Sequence, residues 1–176
     1  MSTHELLVRP AVVGDVPAMR EIYNHYVETS PATFDITPVS LENRLGWFRS
    51  FGETGPFRLV VAERDGRVIG YAGSGKFREK PAYVTSVEMT VYVDNDARGQ
   101  GIGAEMYRHL FALLEGEPIH RAYAGITLPN PASLALHRQF GFRDVGLYDE
   151  VGFKLGMYWS VQWLEKPMPF LDHPVQ

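Results

Sequence analysis

The sequence predicts an α/β protein: a mixed, mostly antiparallel central sheet flanked by helices. Three observations predict it. First, the hydrophobic period changes. "GDVPAMREIYNHYVE" repeats as a helix does, whereas "FRLVVAERDGRVIGYAGSGKF" holds two apolar runs around Asp65-Gly66, the strongest short hairpin signal in the chain. Second, the segments "YVTSVEMTVYV", "IGAEMYRHLFALL" and "RAYAGIT" read in turn as strand, helix and strand, the pattern of a βαβ unit. Third, 176 residues with 45% hydrophobic content suit one domain with its own core, and no linker or internal repeat divides it. A single domain over residues 1–176 is expected.

The elements follow in order. Leu6, Leu7 and Val8 begin a short strand. Asp15 suits a helix cap and Pro17 its first turn, and Met19, Ile22, Tyr23 and Tyr26 form one apolar stripe. "TSPATFDITP" is a loop broken by Pro31 and Pro38. Ser40 caps a second helix with Leu41, Leu45 and Phe48 on one face. The Asp65-Gly66 hairpin comes next, then "YVTSVEMTVYV", whose β-branched and aromatic residues favour a long strand. Ile102, Met106, Leu110, Leu113 and Leu114 recur at helical spacing. After the strand "RAYAGIT", Asn130 caps a helix, Pro131 takes its first position and Gly141 follows its end. "FKLGMYWSVQWL" is read as a last strand, and the Pro-rich tail from about 166 as irregular.

Composition excludes several functions. With 22% charged residues and a net charge of −4, non-specific binding to nucleic acid or to an acidic membrane is not favoured. The absence of cysteine excludes disulfides, thiolate metal sites and a cysteine acyl-enzyme, and no metal is expected. "MSTHELLVRPA" lacks the apolar core of a signal peptide, and no apolar run approaches the ~20 residues that span a bilayer. A soluble cytoplasmic protein is the expectation.

"DARGQGIGAEMY" concentrates the chemistry, with Gly99, Gly101 and Gly103 after Arg98 and before a helix. A dinucleotide fingerprint needs a glycine where Met106 stands, and a P-loop needs Lys followed by Ser or Thr. "GYAGSGKF" comes nearer to a P-loop, but Phe77 occupies the position of the metal-binding hydroxyl. Two readings remain. One is a pyrophosphate held on the free amides of a helix N-terminus with Arg98 adding a cation; the other is a bare glycine turn.

"VEMTVYVDNDARGQGIGAEMY" resembles the acyl-CoA motif of the GCN5-related N-acetyltransferases, R-G-x-G-x-G/A between strand and helix. "NPASLALHRQFGF" resembles the second cofactor motif of that family, and the resemblance spans residues 5–165. It implies the GNAT fold and acetyl-CoA as cosubstrate. It also implies a central strand that parts from its neighbour at a bulge. There the pantetheine arm pairs with Val91, Tyr92 and Val93, and the pyrophosphate rests on Arg98, Gly99, Gln100, Gly101, Ile102, Gly103 and Ala104. Asn130 is expected to hold the pantetheine or the site geometry.

"IYNHYVETSPATFD", "VEMTVYV" and "LPNPASLALHRQFGF" are similar to one branch, the phosphinothricin and methionine sulfoximine acetyltransferases. That resemblance implies a small-molecule acceptor, the α-amino group of an amino-acid analogue, and a homodimer. Without cysteine, the amine attacks the thioester directly in a ternary complex. An amine must lose a proton to attack, which suits Glu88 as base, against its reading as a surface carboxylate. His137 stands seven residues after Asn130, where it either serves the departing thiolate, shapes the site or packs as a helix histidine. Lys76, Arg78 and Lys80 form a basic cluster suited to an anionic acceptor, with Arg78 the leading candidate. Phe34 and Tyr83, with Tyr92, are expected to wall the acceptor pocket, and Thr90 to offer a hydroxyl. Met89 and the Gly75–Val84 loop depart from the branch and put the acceptor preference in question. The alternatives are a polyamine, aminoglycoside or protein N-terminus as acceptor, or a CoA-binding domain without catalysis.

Overall fold

The computed structural model describes residues 5–169. Seven strands, β1 (Leu6–Pro10), β2 (Leu59–Arg64), β3 (Arg67–Lys76), β4 (Ser86–Val93), β5 (Arg121–Thr127), β6 (Arg143–Lys154) and β7 (Met157–Pro167), form one sheet in the order β1-β2-β3-β4-β5-β7-β6. Four helices accompany it: α1 (Val16–Thr29), α2 (Leu41–Phe48), α3 (Ile102–Leu113) and α4 (Pro131–Gln139). Every neighbouring pair is antiparallel except β4 and β5. That parallel pair requires a crossover, and α3 supplies it.

The start of β2, Leu59–Ala62, is apolar throughout because both faces of the sheet are covered there. Leu59 and Val61 of β2 and Tyr71 of β3 pack with Val16, Met19 and Ile22 of α1. Val60, Ala62 and Ala72 pack on the opposite face with Ile102, Met106 and Leu110 of α3. A strand buried on both sides needs no polar alternation, and "LVVA" shows none. Leu110 is fully buried, and its truncation to alanine is expected to cost about 2–5 kcal/mol.

Local signals have identifiable causes. Asp65 (φ 53) and Gly66 (φ 75) make the left-handed two-residue turn that joins Arg64 to Arg67. Ser40 accepts from Asn43 N at 3.1 Å and starts α2. Asp15 stands at the start of α1 as expected but makes no side-chain cap bond; its carboxylate accepts from Val12 N at 2.8 Å and from Arg9.

The C-terminal reading requires correction. "FKLGMYWSVQWL" is two strands, turned at Leu155 (φ 52) and Gly156 (φ 79). Phe153 and Lys154 end β6, which begins at Arg143 and is mostly exposed. A strand lying at the rim of the sheet leaves little periodic signal. Pro167 still belongs to β7, so the tail expected from about 166 begins inside a strand; beyond Pro169 it lies outside the described residues.

Candidate active site

The sheet opens at its one parallel pair. β4 and β5 are paired only from Ser86↔Arg121 to Glu88↔Tyr123. Past Glu88 the two strands part, but each keeps its outer partner: β4 follows β3 to Val93↔Gly70, and β5 follows β7 to Thr127↔Val161. No bulge causes the parting, because the β3–β4 register runs unbroken. This corrects the expectation of a bulge. A cleft of about 680 Å³ fills the gap, bounded by the N-terminal ends of α3 and α4 and by the loop after α1.

The register also decides where the β4 backbone points. Asp94 N donates to Ile69 O at 2.8 Å, so by antiparallel alternation residues 88, 90 and 92 turn their amides and carbonyls to β3. Those of Val91 and Val93 turn to the cleft, where β5 no longer meets them. The Tyr26 hydroxyl donates to Val93 O at 2.6 Å. The backbone around Val91 is thus a strand edge inside the protein, suited to pair with an amide-bearing ligand arm.

The glycine loop closes one end. Gly99 (φ 73) and Gly101 (φ 76) are left-handed, a conformation that side chains resist. Gly103 is small for another reason: a Cβ there would lie 3.1 Å from Leu136 Cδ2, so glycine lets α3 and α4 approach. Helix amides and the helix dipole at the start of α3 favour an anion. The Arg98 Nε donates to the Tyr26 hydroxyl at 3.2 Å, and its guanidinium lies 4.9 Å from that ring's centre. Tyr26 therefore ties the loop arginine to the open edge of β4.

Glu88 and His137 are the cleft's candidate proton carriers. Glu88 sits at the last paired position before the gap. Burial pushes its carboxyl above the usual range, and the Arg78 guanidinium, 3.5 Å away, works in the opposite direction. Arg78 lies against Phe77 at 4.1 Å and Trp163 at 5.4 Å. His137 is buried and lines the cleft. Its Nδ1 is 2.8 Å from Ser133 O, and a carbonyl only accepts, so Nδ1 carries the proton. In the neutral ring Nε2 then accepts from the Tyr107 hydroxyl at 2.8 Å. Burial lowers the pKa of His137, which keeps this neutral form. Asn130 Oδ1 accepts from Ser133 N at 3.1 Å and so caps α4 at the cleft's edge.

Of the residues expected from sequence, Glu88, Thr90, Val91, Tyr92, Val93, Arg98, Gly99, Gly101, Ile102, Gly103, Asn130 and His137 line one cleft, with Phe34 across it. Gln100 and Ala104 do not: Gln100 accepts from Arg64 at 2.7 Å, away from the opening. Lys76 pairs with Glu79 at 2.8 Å, Lys80 stands exposed, and Tyr83 packs edge-on against Phe77. Arg78 is outside the lining but reaches the site through Glu88 and Trp163. Sequence reasoning missed Tyr26, Val161 and Trp163 as cleft residues. Their signals were present, since Tyr26 belongs to the α1 stripe and Val161 and Trp163 alternate on one face of β7, but both patterns also describe core.

Comparison with known proteins agrees with this geometry. A model of the Acetyltransferase (GNAT) family matches residues 19–142. The chain is 51% identical over 168 residues to the phosphinothricin N-acetyltransferase of Streptomyces coelicolor, covering 94% of this chain and 98% of that one. It is 35% identical over 158 residues to the L-methionine sulfoximine/L-methionine sulfone acetyltransferase of Pseudomonas aeruginosa, covering 90% and 92%. The crystal structure of a phosphinothricin acetyltransferase from Sinorhizobium meliloti in complex with acetyl-CoA superposes with a TM-score of 0.86 at 33% identity, covering 93% and 88%. The chain belongs to the GNAT acetyltransferase family. It is an acetyl-CoA-dependent N-acetyltransferase.

Proposed function

We propose that this enzyme acetylates the α-amino group of a small amino-acid analogue of the phosphinothricin or methionine sulfoximine and sulfone type. The observation that carries the reading is the Arg78–Glu88 pair at the mouth of the cleft. An α-amino acid bears an ammonium and a carboxylate on one carbon. A carboxylate base and a guanidinium 3.5 Å apart complement that pair of charges. The two relatives named for such acceptors support it.

Acetyl-CoA supplies the acetyl group as a thioester. The open amides of Val91 and Val93, the α3 amides and Arg98 are the groups suited to hold the cosubstrate. Glu88, with its raised pKa, takes one proton from the ammonium, directly or through water. The freed amine attacks the carbonyl carbon, so a C–N bond forms and the C–S bond breaks. The second nitrogen proton leaves for the CoA sulfur or for water. A Val91 N–H directed into the cleft is suited to the oxygen that gains charge. Arg78 receives the acceptor's carboxylate or phosphinate. Both nitrogens of His137 are engaged by Ser133 O and Tyr107, which supports a site-shaping part for it.

We also propose a homodimer. Eight large apolar side chains of the β6–β7 arm, among them Leu147, Phe153 and Tyr158, are at least half exposed, and β6 ends the sheet with an unpaired edge. Sedimentation at micromolar concentration should give twice the chain mass. Dependence on acetyl-CoA supports a cytoplasmic site of action.

The test is CoA release from acetyl-CoA across phosphinothricin, methionine sulfoximine, methionine sulfone, ordinary amino acids, polyamines, an aminoglycoside and an N-terminal peptide. Saturable turnover confined to the first three is expected. Turnover only with polyamines, the aminoglycoside or the peptide overturns the acceptor. Acetyl-CoA binding without any turnover favours a non-catalytic domain.

A further inference from the structure

We propose that Lys154 and Gly152, on the outermost strand, are specificity-determining positioning residues: they fix the 32–35 wall, and with it the Phe34 ring, at the acceptor end of the cleft. Lys154 is only 4% exposed. Its ammonium donates to Thr33 O at 2.7 Å and to Tyr26 O at 3.4 Å, the first in the wall and the second at the end of α1. Burial lowers its pKa, while the charge of Asp35, also in the wall, favours the charged form. Burying a cation on backbone carbonyls costs more than packing a methionine there, so the lysine marks a demand for position beyond stability.

Gly152 makes the second contact. A Cβ at that position would lie 2.4 Å from Phe34 Cε2 and Cζ, where ordinary contact needs more than 3.4 Å. The Cδ2–Cε2–Cζ side of the ring therefore lies against the β6 backbone at Gly152. Gly152 has an ordinary negative φ, so its smallness serves the ring and not the turn of the chain. The register shift between Tyr148 and Gly152 brings Gly152 opposite Trp159, and Ser160 Oγ holds the shift by accepting from Glu150 N at 2.9 Å. Trp159 Nε1 donates to Lys154 O at 2.8 Å and fixes the end of the hairpin.

The wall has two further supports. The Tyr23 hydroxyl shares a hydrogen bond with Thr33 Oγ1 at 2.7 Å and donates to Asp35 Oδ2 at 2.7 Å. Tyr92 Oη donates to Ala32 O at 3.4 Å. Three elements thus grip one short loop: α1 through Tyr23, β4 through Tyr92 and β6 through Lys154. Phe34 and Thr33 line the cleft that Glu88 also lines. The distance from the Phe34 ring to Glu88 limits the side chain an acceptor can carry while its amine reaches the base, and β6 sets that distance.

The inference rests on the acceptor end assigned above, not on the identity of the acceptor. Gly152→Ala, Lys154→Met, Phe34→Ala and Gly152→Ala in the Phe34→Ala background are compared with the wild type. Each is measured with whichever amine the wild type turns over best, and with a homologue of that amine bearing a longer or shorter side chain. Gly152→Ala and Lys154→Met should lower kcat/KM for the acceptor by about 10- to 100-fold, the scale of a 1 Å misplacement. They should also change the ratio between the two homologues, while the Kd for CoA by calorimetry stays within about twofold of the wild type. In the Phe34→Ala background, Gly152→Ala should lose most of its effect, because the ring it displaces is gone. An unchanged homologue ratio, equal losses in acceptor kcat/KM and CoA affinity, or additive effects with Phe34→Ala would each overturn the proposal. Failure of the amino-acid reading shows separately, in the wild-type preference itself.

Discussion

Arg78→Gln separates the base from the anion receptor. In the wild type the Glu88 carboxyl is raised by burial and drawn back by Arg78 at 3.5 Å. Removing the guanidinium leaves burial unopposed, so the Glu88 pKa rises further. A base works only when ionised, and the acidic limb of kcat/KM therefore moves to higher pH. Solvent limits the size of the shift, because the two side chains are 43% and 37% exposed. Two unit charges at this separation interact by about 1.2 kcal/mol in a water-like dielectric and by more in a lower one, so the limb should move measurably to higher pH. In 1 M salt, where the Debye length is about 3 Å, the limbs of wild type and variant should draw together. The same substitution removes a charge-assisted hydrogen bond worth about 1.5–3 kcal/mol, or about 10- to 150-fold in kcat/KM, for acceptors that carry a carboxylate. An amine without one should lose far less. The assay is initial-rate CoA release from pH 4.5 to 8 with one acceptor of each kind. A limb that moves to lower pH, or equal losses for both acceptors, would refute the reasoning.

Gly103→Val acts at the other end of the cleft. Its Cβ alone meets Leu136 Cδ2 at 3.1 Å, and the two further methyls of valine crowd the α3–α4 contact, so the Kd for CoA by calorimetry should rise at least about tenfold, with Gly103→Ala milder. Asp15→Asn tests stability. The Asp15 carboxyl is held below the usual carboxylate range against its burial, by Arg9 (Nη1 and Nη2 at 2.8 and 2.9 Å) and by Val12 N. A depressed folded pKa stabilises above the unfolded value of about 4 and is lost as pH falls through the folded one. The wild type should therefore be more stable than the variant by about 1–3 kcal/mol at pH 7, with the gap closing below about pH 4, as melting temperature at each pH will show.

Much of the scaffold was legible because it depends on residues close together in sequence. Asp65-Gly66 carries its own left-handed turn, Asn130 reaches Ser133 N three residues on, and "RAYAGIT" coincides with β5. The glycine loop declared itself in the same way, through positions whose backbone demands glycine. What stayed hidden depends on partners far along the chain. Leu155-Gly156 looked like the interior of a strand because apolar residues stand on both sides of it, although the two halves pair with each other. Nothing local marks Lys154, whose partner carbonyl at Thr33 lies 121 residues away. The engagement of His137 Nε2 with the Tyr107 hydroxyl spans 30 residues, which no spacing reveals.

The cleft itself shows why the two kinds of information meet at β4. A parallel pair that stops at Glu88 leaves the Val91 and Val93 backbone without β5, facing the cleft. The fold tolerates this because β4 is still held by β3 along its whole length and β5 by β7. It relieves the edge at Val93 O, which the Tyr26 hydroxyl covers. That same hydroxyl accepts from Arg98, so the group that quiets the open strand also holds the cation of the glycine loop. A ligand that pairs with Val91 and sets an anion at the start of α3 satisfies both ends at once. In the proposed binding mode, binding energy is concentrated away from the reacting carbon, leaving the Glu88 end free to discriminate among acceptors.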